Sequence, residues 1–595
     1  MKKVGFRKKN NDVISSMYFS AAVAMIFSQV AGVVATIIDG IITSRFLGPD
    51  SLSSISLVGP FILTLALVSG FISTGSQVVC GSLVGEGKRK EANALFSISI
   101  IITILAAFFF IFLCTTFPDV IFKICGVTIE SHPKFYDGMK DYIYGYMFGI
   151  PAVMVIQIIG PFVVMDNGKT FFTISAFILC ISDVAGDLVN AFFIHGGITG
   201  MGIATTISFY IQLIFLLSFY LRKNSYFRFS FSNLRFIQLF EIAKEGMPTL
   251  VRKFATVLRD LFISRINLSV ALTGAAVAAR AMQNDLNTLM FCIGLGMGKA
   301  LLSIVGIYYS SNDKNGLKNL FAYSVKMAIV LSGAVAAILF IFADLIAGFY
   351  TSDPEVIMYS AFSLRCMAIS LVMDTLLVTF QYYLQGIRNR LLVNLFNFGE
   401  RFIIPVIIAL TMGSFWGSKG VLASIAVGKA VLILLIFVII CVHLKRLPCH
   451  LEDFMFLPEG FGGREGENSY AFLESIEDVI RESKNAEEFC LAHGCDAKKA
   501  RHMGCFVEEM AGNIIIHGKP KAGKKVFVDY RLYTKDGDIC LTLRDYCNQF
   551  NPTDFYKAHN DGDPEKYIGI RLVTKMAKEM SYFNAFNSNN MIIYL

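Results

Sequence analysis

Long apolar runs separated by short polar loops fill the chain from about residue 15 to residue 447. A helix needs about 20 mainly apolar residues to cross a bilayer, and most of these runs reach that length. The pattern therefore predicts a polytopic α-helical membrane protein. We count twelve candidate spans, at about 16–44, 54–80, 93–115, 138–163, 170–194, 200–221, 247–271, 281–307, 318–347, 359–385, 391–413 and 418–444.

Basic residues cluster in loops that lie on one side of this series of spans. They cluster at the amino terminus (MKKVGFRKK), in GEGKRK after the second span, in LRKNSYFRF after the sixth, in GIRNR after the tenth and in HLKRLP after the twelfth. Loops rich in Lys and Arg stay on the cytoplasmic side of a membrane. The pattern predicts a multi-pass protein of a bacterial plasma membrane with both termini in the cytoplasm.

The membrane region contains two similar halves. The segment 74–96 resembles 297–321, and 165–169 corresponds to 384–389. A repeat in the same orientation predicts two six-helix, pseudo-symmetric lobes with a solute site between them. The predicted parts are a basic amino terminus (1–14), an N-lobe (15–221), an inter-lobe linker (222–246), a C-lobe (247–447), a second linker (448–467) and a cytosolic domain (468–595).

Composition separates the membrane region from the tail. The chain of 595 residues is 55% hydrophobic and only 16% charged, whereas a soluble domain carries about 25% charged residues. The deficit lies in the membrane region, while the tail has the composition of a soluble domain. The thirteen cysteines include no CxxC pair, so we expect reduced packing residues. Nothing in the sequence indicates a nucleic-acid binder.

Three acidic residues lie inside predicted spans: Asp39 in the first, and Asp183 and Asp187 in the fifth. A carboxylate in the hydrocarbon layer is costly and usually faces a water-filled cavity that handles ions or protons. Asp183 and Asp187 are four residues apart, on one helix face. Two carboxylates at this distance repel each other when both are charged, so one of them tends to keep a proton. The pattern predicts a transporter with a protonatable site.

The membrane region resembles the multidrug and toxic compound extrusion (MATE) family. The motifs are Asp39 followed by RFLGPDSLSSISL, the VGEGKRKEA loop after the second span, AKEGMPTLVRKF at the start of the second lobe, and DVAGDLVNAFFIHGGITGMGIAT. The resemblance implies export driven by a proton or sodium gradient. It also implies an ion-coupling site formed by Asp39, Asp187 and Thr205. Asp183 stands where the family usually has Asn and adds a carboxylate to that site.

The second lobe departs from the family pattern. The resemblance implies a coupling acid at Asp374, but the usual Glu of the seventh span is absent and Asp260 is the nearest acid. We therefore assign Asp260, Asp374, Arg259 and Lys299 to coupling or substrate binding in this lobe. A basic lining would repel organic cations, which favours an anionic or zwitterionic solute. The basic residues in or near these spans are Arg252, Arg259, Arg265, Arg280, Lys299 and Arg365.

The tail alternates strand segments, such as DICLTLRDY and the final MIIYL, with helical segments, among them one near 567–580, which predicts an α/β sandwich. CFVEEMAGNIIIHG resembles the N-box of the GHKL (Bergerat) ATP-binding fold, in its anti-sigma-factor-kinase branch. The resemblance implies nucleotide binding by Glu509, Asn513, Asp545 and Gly569, with Asn513 holding Mg²⁺. The phosphate-loop glycines are replaced, among others by Cys547. We therefore expect weak ATP binding or none.

The sequence thus predicts a secondary active exporter of a small organic solute, not an enzyme, with a cytosolic regulatory domain. It requires no cofactor beyond a coupling proton or sodium ion; ATP-Mg²⁺ is an option only for the tail. Membrane lipid surrounds it, and the tail could dock a cytosolic protein. One alternative is a flippase of a lipid-linked or anionic precursor. Another is a membrane sensor with an anti-sigma-type kinase output domain.

Overall fold

The computed structural model describes residues 2–125, 127–130, 133–222, 225–230, 237–270, 274–351, 353–458, 460–462, 468–520, 526–535, 537–558, 568–586 and 588–595. The predicted linkers 222–246 and 448–467 therefore lie partly outside the described residues.

Sixteen α-helices form the membrane region within the described residues. They are α1 (Lys2–Leu47), α2 (Pro49–Leu57), α3 (Gly59–Gly85), α4 (Arg89–Thr116), α5 (Pro118–Ile124), α6 (Pro133–Tyr146), α7 (Ile150–Met165), α8 (Lys169–Val189), α9 (Gly197–Ser218), α10 (Ile237–Val270), α11 (Gly274–Ser310), α12 (Lys314–Ile341), α13 (Ala343–Tyr350), α14 (Pro354–Gly386), α15 (Arg390–Phe398) and α16 (Ile404–Leu444).

The helices agree with the predicted series of spans. Ten helical segments of the described chain are long and apolar enough to cross a membrane. The last of them, Arg390–Leu444, bends where Gly417 adopts a φ of 57°, so it corresponds to two predicted spans. α10 is richer in charged residues and is not among the ten, but it occupies the position of the predicted span 247–271. With these two additions, the structure is compatible with twelve spans.

The N-lobe (α1–α9) and the C-lobe (α10–α16) meet where α1 and α3 pack against α10 and α11. Ser310 Oγ of the C-lobe donates to Ser82 Oγ of the N-lobe at 2.7 Å. A Cβ at Gly85 would lie 2.5 Å from the carbonyl oxygen of Ile307, so the two backbones almost touch. These contacts lie at the ends of α3 and α11 nearest to the tail. The lobes are therefore closed at the tail-bearing end.

The tail is a five-stranded antiparallel sheet with helices on one face, which confirms the predicted α/β sandwich. The strand order is β1-β2-β3-β5-β4. Residues on one face, such as Leu541 and Met591, pack against the helices in one apolar core. The elements are β1 (Asn468–Leu473), α17 (Ile476–Ala492), α18 (Ala497–His517), β2 (Val528–Lys535), β3 (Asp538–Asp545), α19 (Pro552–Ala558), α20 (Ile568–Met576), β4 (Glu579–Ala585) and β5 (Ser588–Tyr594).

The sequence analysis places a helix near 567–580, but α20 ends at Met576 and β4 begins at Glu579. β4 reads EMSYFNA and alternates only weakly between apolar and polar residues. Its Phe583 and Ala585 are buried against the membrane helices rather than in the tail's own core. The contact that stabilises this strand is thus made outside the domain, where a local pattern does not reveal it.

Candidate functional site

Three helices of the N-lobe bring the predicted acidic residues together. α8 carries Asp183 and Asp187 one turn apart, α1 carries Asp39, and α9 supplies Thr205. Asp187 is close enough to interact electrostatically with both other carboxylates. Asp183 and Asp187 are buried, and Asp39 is half-buried. The structure thus places all four predicted N-lobe residues in one site between α1, α8 and α9.

Two of the three carboxylates accept hydrogen bonds from hydroxyl groups. Ser208 Oγ donates to Asp183 Oδ1 at 3.0 Å, and Thr205 approaches the same carboxylate. Thr43 Oγ1 donates to Asp39 Oδ1 at 3.3 Å. The sequence analysis did not identify Ser208 or Thr43. Both were detectable in principle, because each lies three or four residues from a predicted site residue on the same helix face.

Asp187 is the exception. Its side chain is 0% exposed, and neither carboxylate oxygen accepts a hydrogen bond from any residue that the structure describes. A buried carboxylate without donors is costly as a bare anion. A bound proton or a bound cation would remove that cost. The arrangement of Asp39, Asp183 and Asp187 can therefore take up and release a positive charge.

A short π-helix, Asn190–Ile194, ends α8 and shapes the turn into α9. The Asn190 side chain spans the turn: its Nδ2 donates to the Gly197 carbonyl at 3.0 Å, and its Oδ1 accepts from the Gly196 amide at 3.0 Å. π-helical turns of this kind are frequent at functional sites. Here the bridged turn sets α9 beside α8, so that Thr205 and Asp183 meet.

The C-lobe acid predicted for coupling lies in a buried ion cluster. Asp374 on α14 pairs with Lys429 on α16, and Arg401 Nη2 lies 3.3 Å from its Oδ1. Glu400 pairs with the same Lys429 and accepts from Gln381, and Arg401 Nε lies 3.3 Å from its Oε1. Asp374 is thus neutralised by two cations, unlike the acids of the N-lobe.

Of the other predicted C-lobe residues, Arg259 is close enough to interact electrostatically with Asp374, whereas Lys299 lies elsewhere. Arg259 lies beside its neighbour Asp260, with Nη2 2.9 Å from Oδ1. Lys299 on α11 instead points to the N-lobe, where its Nζ donates to Gln29 Oε1 on α1 at 3.4 Å. Lys299 also interacts electrostatically with Arg252 and Lys253 of α10. Lys299 therefore belongs to a basic cluster between the lobes.

The sequence analysis missed Lys429 and Lys253. Lys429 lies in the apolar run AVGKAVLILL, where a lone lysine is itself a signal of a buried partner. That partner could not be named, because Asp374 and Glu400 come from other helices. Lys253 directly follows Arg252, and adjacent residues on a helix do not share a face. Its grouping with Lys299 depends on how the lobes pack.

In the tail, the four predicted nucleotide residues line one cavity of about 650 Å³ between α18, α20 and the sheet. Asp545 Oδ1 accepts from the Asn589 side chain at 2.8 Å and from the Cys547 amide at 2.9 Å. The Glu509 carboxylate occupies the space that a Cβ at Gly569 would take, so a side chain there would displace it. Cys547 also lines the cavity, at a position where the resembling family has glycine. The cavity could hold an adenine-sized ligand, with Asn513 available to a metal ion.

Comparison with known proteins identifies the family. The MatE family model matches residues 24–189 and 248–411, and the model of the histidine kinase-like ATPase domain matches residues 474–594. The first two segments together cover more than half of the chain and correspond to the two lobes. The chain therefore belongs to the MATE transporter family and carries a C-terminal histidine kinase-like ATPase domain.

Two individual relatives are consistent with this family assignment. The multidrug export protein MepA of Staphylococcus haemolyticus is 21% identical over 70% of this chain and 92% of its own length. The probable multidrug resistance protein NorM of Listeria monocytogenes is 26% identical over 49% of this chain. That alignment spans 64% of NorM, slightly less than two thirds of its length.

Solved structures support the fold alone. An outward-facing MATE transporter of the MOP superfamily superposes with a TM-score of 0.66 at 16% identity, over 71% of this chain and 94% of the other. The Vibrio cholerae transporter VcmN in its bent form gives a TM-score of 0.66 at 14% identity, over 71% and 95%.

Proposed function

We propose that this chain is a secondary active exporter driven by a proton or sodium gradient, with both termini in the cytoplasm. The observation that carries the proposal is the fully buried carboxylate of Asp187, which accepts no hydrogen bond from the described residues and lies within hydrogen-bonding reach of the Asp39 carboxylate. Burial makes the charged form costly, so the site gains most from a bound cation when it is closed to water. Differential binding of a cation in two conformations is what couples an ion gradient to a conformational change.

In this mechanism, the three acidic residues couple the ion gradient to the conformational change. Asp187 takes up the proton or cation, and Asp39 and Asp183 set its affinity through their negative charge. Ser208 and Thr43 keep the two neighbours oriented through the hydrogen bonds described above. Release of the cation on the other side of the membrane restores three mutually repelling carboxylates. That repulsion favours a different arrangement of α1 against α8, which would alter the cavity between the lobes.

A second candidate function concerns the solute. Arg252, Lys253 and Lys299 cluster near the interface between the lobes, and none of the three pairs with a carboxylate within the described part of the chain. Arg252 instead stacks over the Tyr382 ring and donates to its hydroxyl at 2.7 Å. Arg252 is buried, Lys299 is half-buried and Lys253 is exposed. A cluster of positive charges in a cleft attracts an anion. This observation favours an anionic or zwitterionic solute, including the anionic precursor of a flippase, over the cationic drugs typical of the family.

One assay tests both candidates. The purified full chain is reconstituted into proteoliposomes, and a proton or a sodium gradient is imposed in turn. Uptake of an organic anion and of an organic cation of similar size is then measured. We expect gradient-dependent flux with one of the two ions and a preference for the anion. Flux that ignores both gradients contradicts the exporter, whereas preference for the cation contradicts only the anionic solute.

The third proposal concerns the tail cavity. We expect ATP-Mg²⁺ to bind weakly or not at all, because Cys547 and Gln549 place side chains where phosphates need bare backbone. Titration calorimetry on the full chain in nanodiscs measures this. A low-micromolar Kd that is lost in Asn513→Ala but kept in Asn485→Ala, an exposed position on α17, would contradict the expectation. That outcome would favour the sensor with kinase output.

A further inference from the structure

The sheet of the tail is buried on both faces, which an independent α/β domain would not require. In β3, every residue from Ile539 to the end of the strand is buried. Leu541 and Leu543 pack against the tail helices, whereas Thr542 and Arg544 point to the other face, as the alternation of a strand requires. That second face lies on the tail-bearing end of the membrane helices, where Phe583 and Ile592 join the membrane core.

On the C-lobe side, the contact is ionic. Asp313 lies in the loop between α11 and α12, and its Oδ2 is 3.2 Å from Arg544 Nη1. Arg531 Nη1 is 3.9 Å from Asp313 Oδ1, and the same guanidinium donates to the Ser311 carbonyl. Arg544 also stacks over the Tyr308 ring at 4.6 Å. Two strands of the tail, β2 and β3, are thus fastened to one C-lobe loop.

The charges at this contact are enclosed and balanced. Asp313 is 6% exposed, and the Asp529 carboxylate lies 3.6 Å from Arg544 as a second counter-ion. Burial alone would raise the pKa of Asp313, but Arg531 and Arg544 hold that pKa below its ordinary value. Two carboxylates therefore neutralise two guanidinium groups. Removing one partner would leave a buried charge without compensation.

On the N-lobe side, the contact is made by hydrogen bonds and close packing. The Phe586 amide donates to the Met165 carbonyl at 3.2 Å, and Asn167 donates to Asn584 in the adjacent turn. Gly87, in the loop between α3 and α4, packs so tightly on the sheet that a Cβ there would collide with Ser581 Oγ. Two loops of the N-lobe thus rest on β4 and the turn after it.

The loops on the two sides are counterparts in the internal repeat. The loop of Gly87 follows α3 in the N-lobe, and the loop of Asp313 follows α11 in the C-lobe. One rigid sheet therefore bridges equivalent points of both lobes. It does so at the end where Ser82 and Ser310 hydrogen-bond and the backbones of α3 and α11 almost touch. Opening this end moves those two loops apart, which the bridging sheet resists.

The tail is attached more strongly to the C-lobe than to the N-lobe, and this difference indicates the side on which the tail would separate. The segment before the tail also packs on the C-lobe: Phe461 stacks on Tyr309 with ring centroids 5.1 Å apart, and the Gly462 amide donates to Asn312 Oδ1 at 2.9 Å. The C-lobe thus holds the tail through the ion cluster and through the linker. The N-lobe holds it through hydrogen bonds, close packing and an exposed ion pair, with Arg89 Nη1 3.8 Å from Asp554 Oδ2. An exposed pair contributes little, so separation is expected on the N-lobe side.

We propose that the docked tail sheet is a lock that holds the two lobes closed at the tail-bearing end, and that transport requires its release from the N-lobe. The inference rests on the proposed alternating-access exporter, in which this end must open once per cycle. With the tail in the cytoplasm, the locked protein faces outward. The cavity of Asp545 and Asn589 lies on the opposite face of the same strands, so a ligand there is placed to act on the lock.

Distance measurements between the lobes test the lock without any solute or gradient. Spin labels are placed at Thr170→Cys on α8 and Leu391→Cys on α15, which are exposed counterparts at the tail-bearing end. The thirteen native cysteines are replaced, and the full chain is held in nanodiscs. We expect one short distance in the parent chain. Arg544→Asp should add a longer one and raise the ratio of open to closed populations by about tenfold.

Three further variants make the result specific. Arg544→Lys keeps a positive charge beside Asp313 and Asp529 and should keep the short distance. Ser581→Trp inserts bulk against Gly87 without removing a buried charge, and it should also open the lobes. Lys578→Asp breaks a solvent-accessible ion pair of 2.6 Å with Asp538 within the tail, and it should leave the distance unchanged.

Two results would contradict the proposed lock. An unchanged distance in both Arg544→Asp and Ser581→Trp overturns the lock, as does equal opening in Lys578→Asp. Hydrogen exchange of the α3–α4 and α11–α12 loops, measured on the chain with its native cysteines, repeats the comparison and should show faster exchange in the same two variants. Because neither readout uses the Asp39–Asp187 site, failure of the lock is distinguishable from failure of the exporter.

Discussion

Asp187→Asn is expected to abolish gradient-driven flux while leaving the amount of folded protein unchanged. The substitution keeps the shape of the side chain but removes the charge that takes up a proton or cation. The carboxylate accepts no hydrogen bond from the described residues, and the amide of Asn can donate to Asp39 as a protonated Asp187 would. A neutral amide in this buried position also removes repulsion with Asp39, so stability should not fall. Flux in proteoliposomes, together with the unfolding midpoint, measures both effects.

The matched control is Asp344→Asn in α13. Asp344 is an exposed residue that pairs with Arg365 and lies far along the chain from the N-lobe acids. This variant should keep the flux of the parent chain, since an exposed ion pair contributes about 1 kcal/mol or less. Normal gradient-driven flux in folded Asp187→Asn would show that coupling does not depend on this carboxylate, and it would remove the main support for the proposed mechanism.

The N-lobe acids could be predicted because two signals coincide in the sequence. Asp39, Asp183 and Asp187 interrupt apolar spans, and the spacing from Asp187 to Thr205 fits the motif of the resembling family. Asp183 and Asp187 are neighbours on one helix, so their proximity is a local property. That Asp39 joins them depends on how α1 packs against α8, which only the family resemblance implied.

The C-lobe could not be predicted in the same way. Asp374 carries the same signal as the N-lobe acids, an acid in an apolar span, but it pairs with Lys429, 55 residues further along the chain. Whether an intramembrane acid is unpaired or neutralised depends on side chains from other helices. Span composition alone therefore identifies a candidate residue but does not distinguish a coupling site from a structural ion pair.

In the tail, the sequence likewise does not reveal which residues are buried. The sequence of β3 predicts a strand correctly, and the α/β sandwich follows from the order of elements. The second buried face does not follow, because Arg531 and Arg544 look like residues of a solvated face. Their partner Asp313 lies in a membrane-region loop more than 200 residues earlier in the chain. Contacts between domains of one chain leave little trace in local patterns.

Lys429→Met should destabilise the C-lobe strongly, by about 3–5 kcal/mol. Lys429 joins Asp374 to Glu400, and the side chain of Glu400 is 0% exposed. Without the lysine, two buried carboxylates share the guanidinium of Arg401, while Arg259, the next cation near Asp374, already pairs with Asp260, so one negative charge is left uncompensated in the membrane region. Methionine has a similar length, so lost packing contributes little. Denaturant titration of the purified protein should show the loss as a lower unfolding midpoint.

Glu400→Gln in the Lys429→Met background should recover much of that stability, because it removes the uncompensated charge while the amide keeps the size of the side chain. Arg365→Met serves as the control, since Arg365 pairs with Asp344 at the surface and should change the midpoint little. If Lys429→Met instead keeps the parent midpoint and changes only the ion dependence of flux, the cluster is a second coupling site. The assignment of Asp374 to coupling, made from sequence, would then stand, and the structural reading of the ion cluster would be wrong.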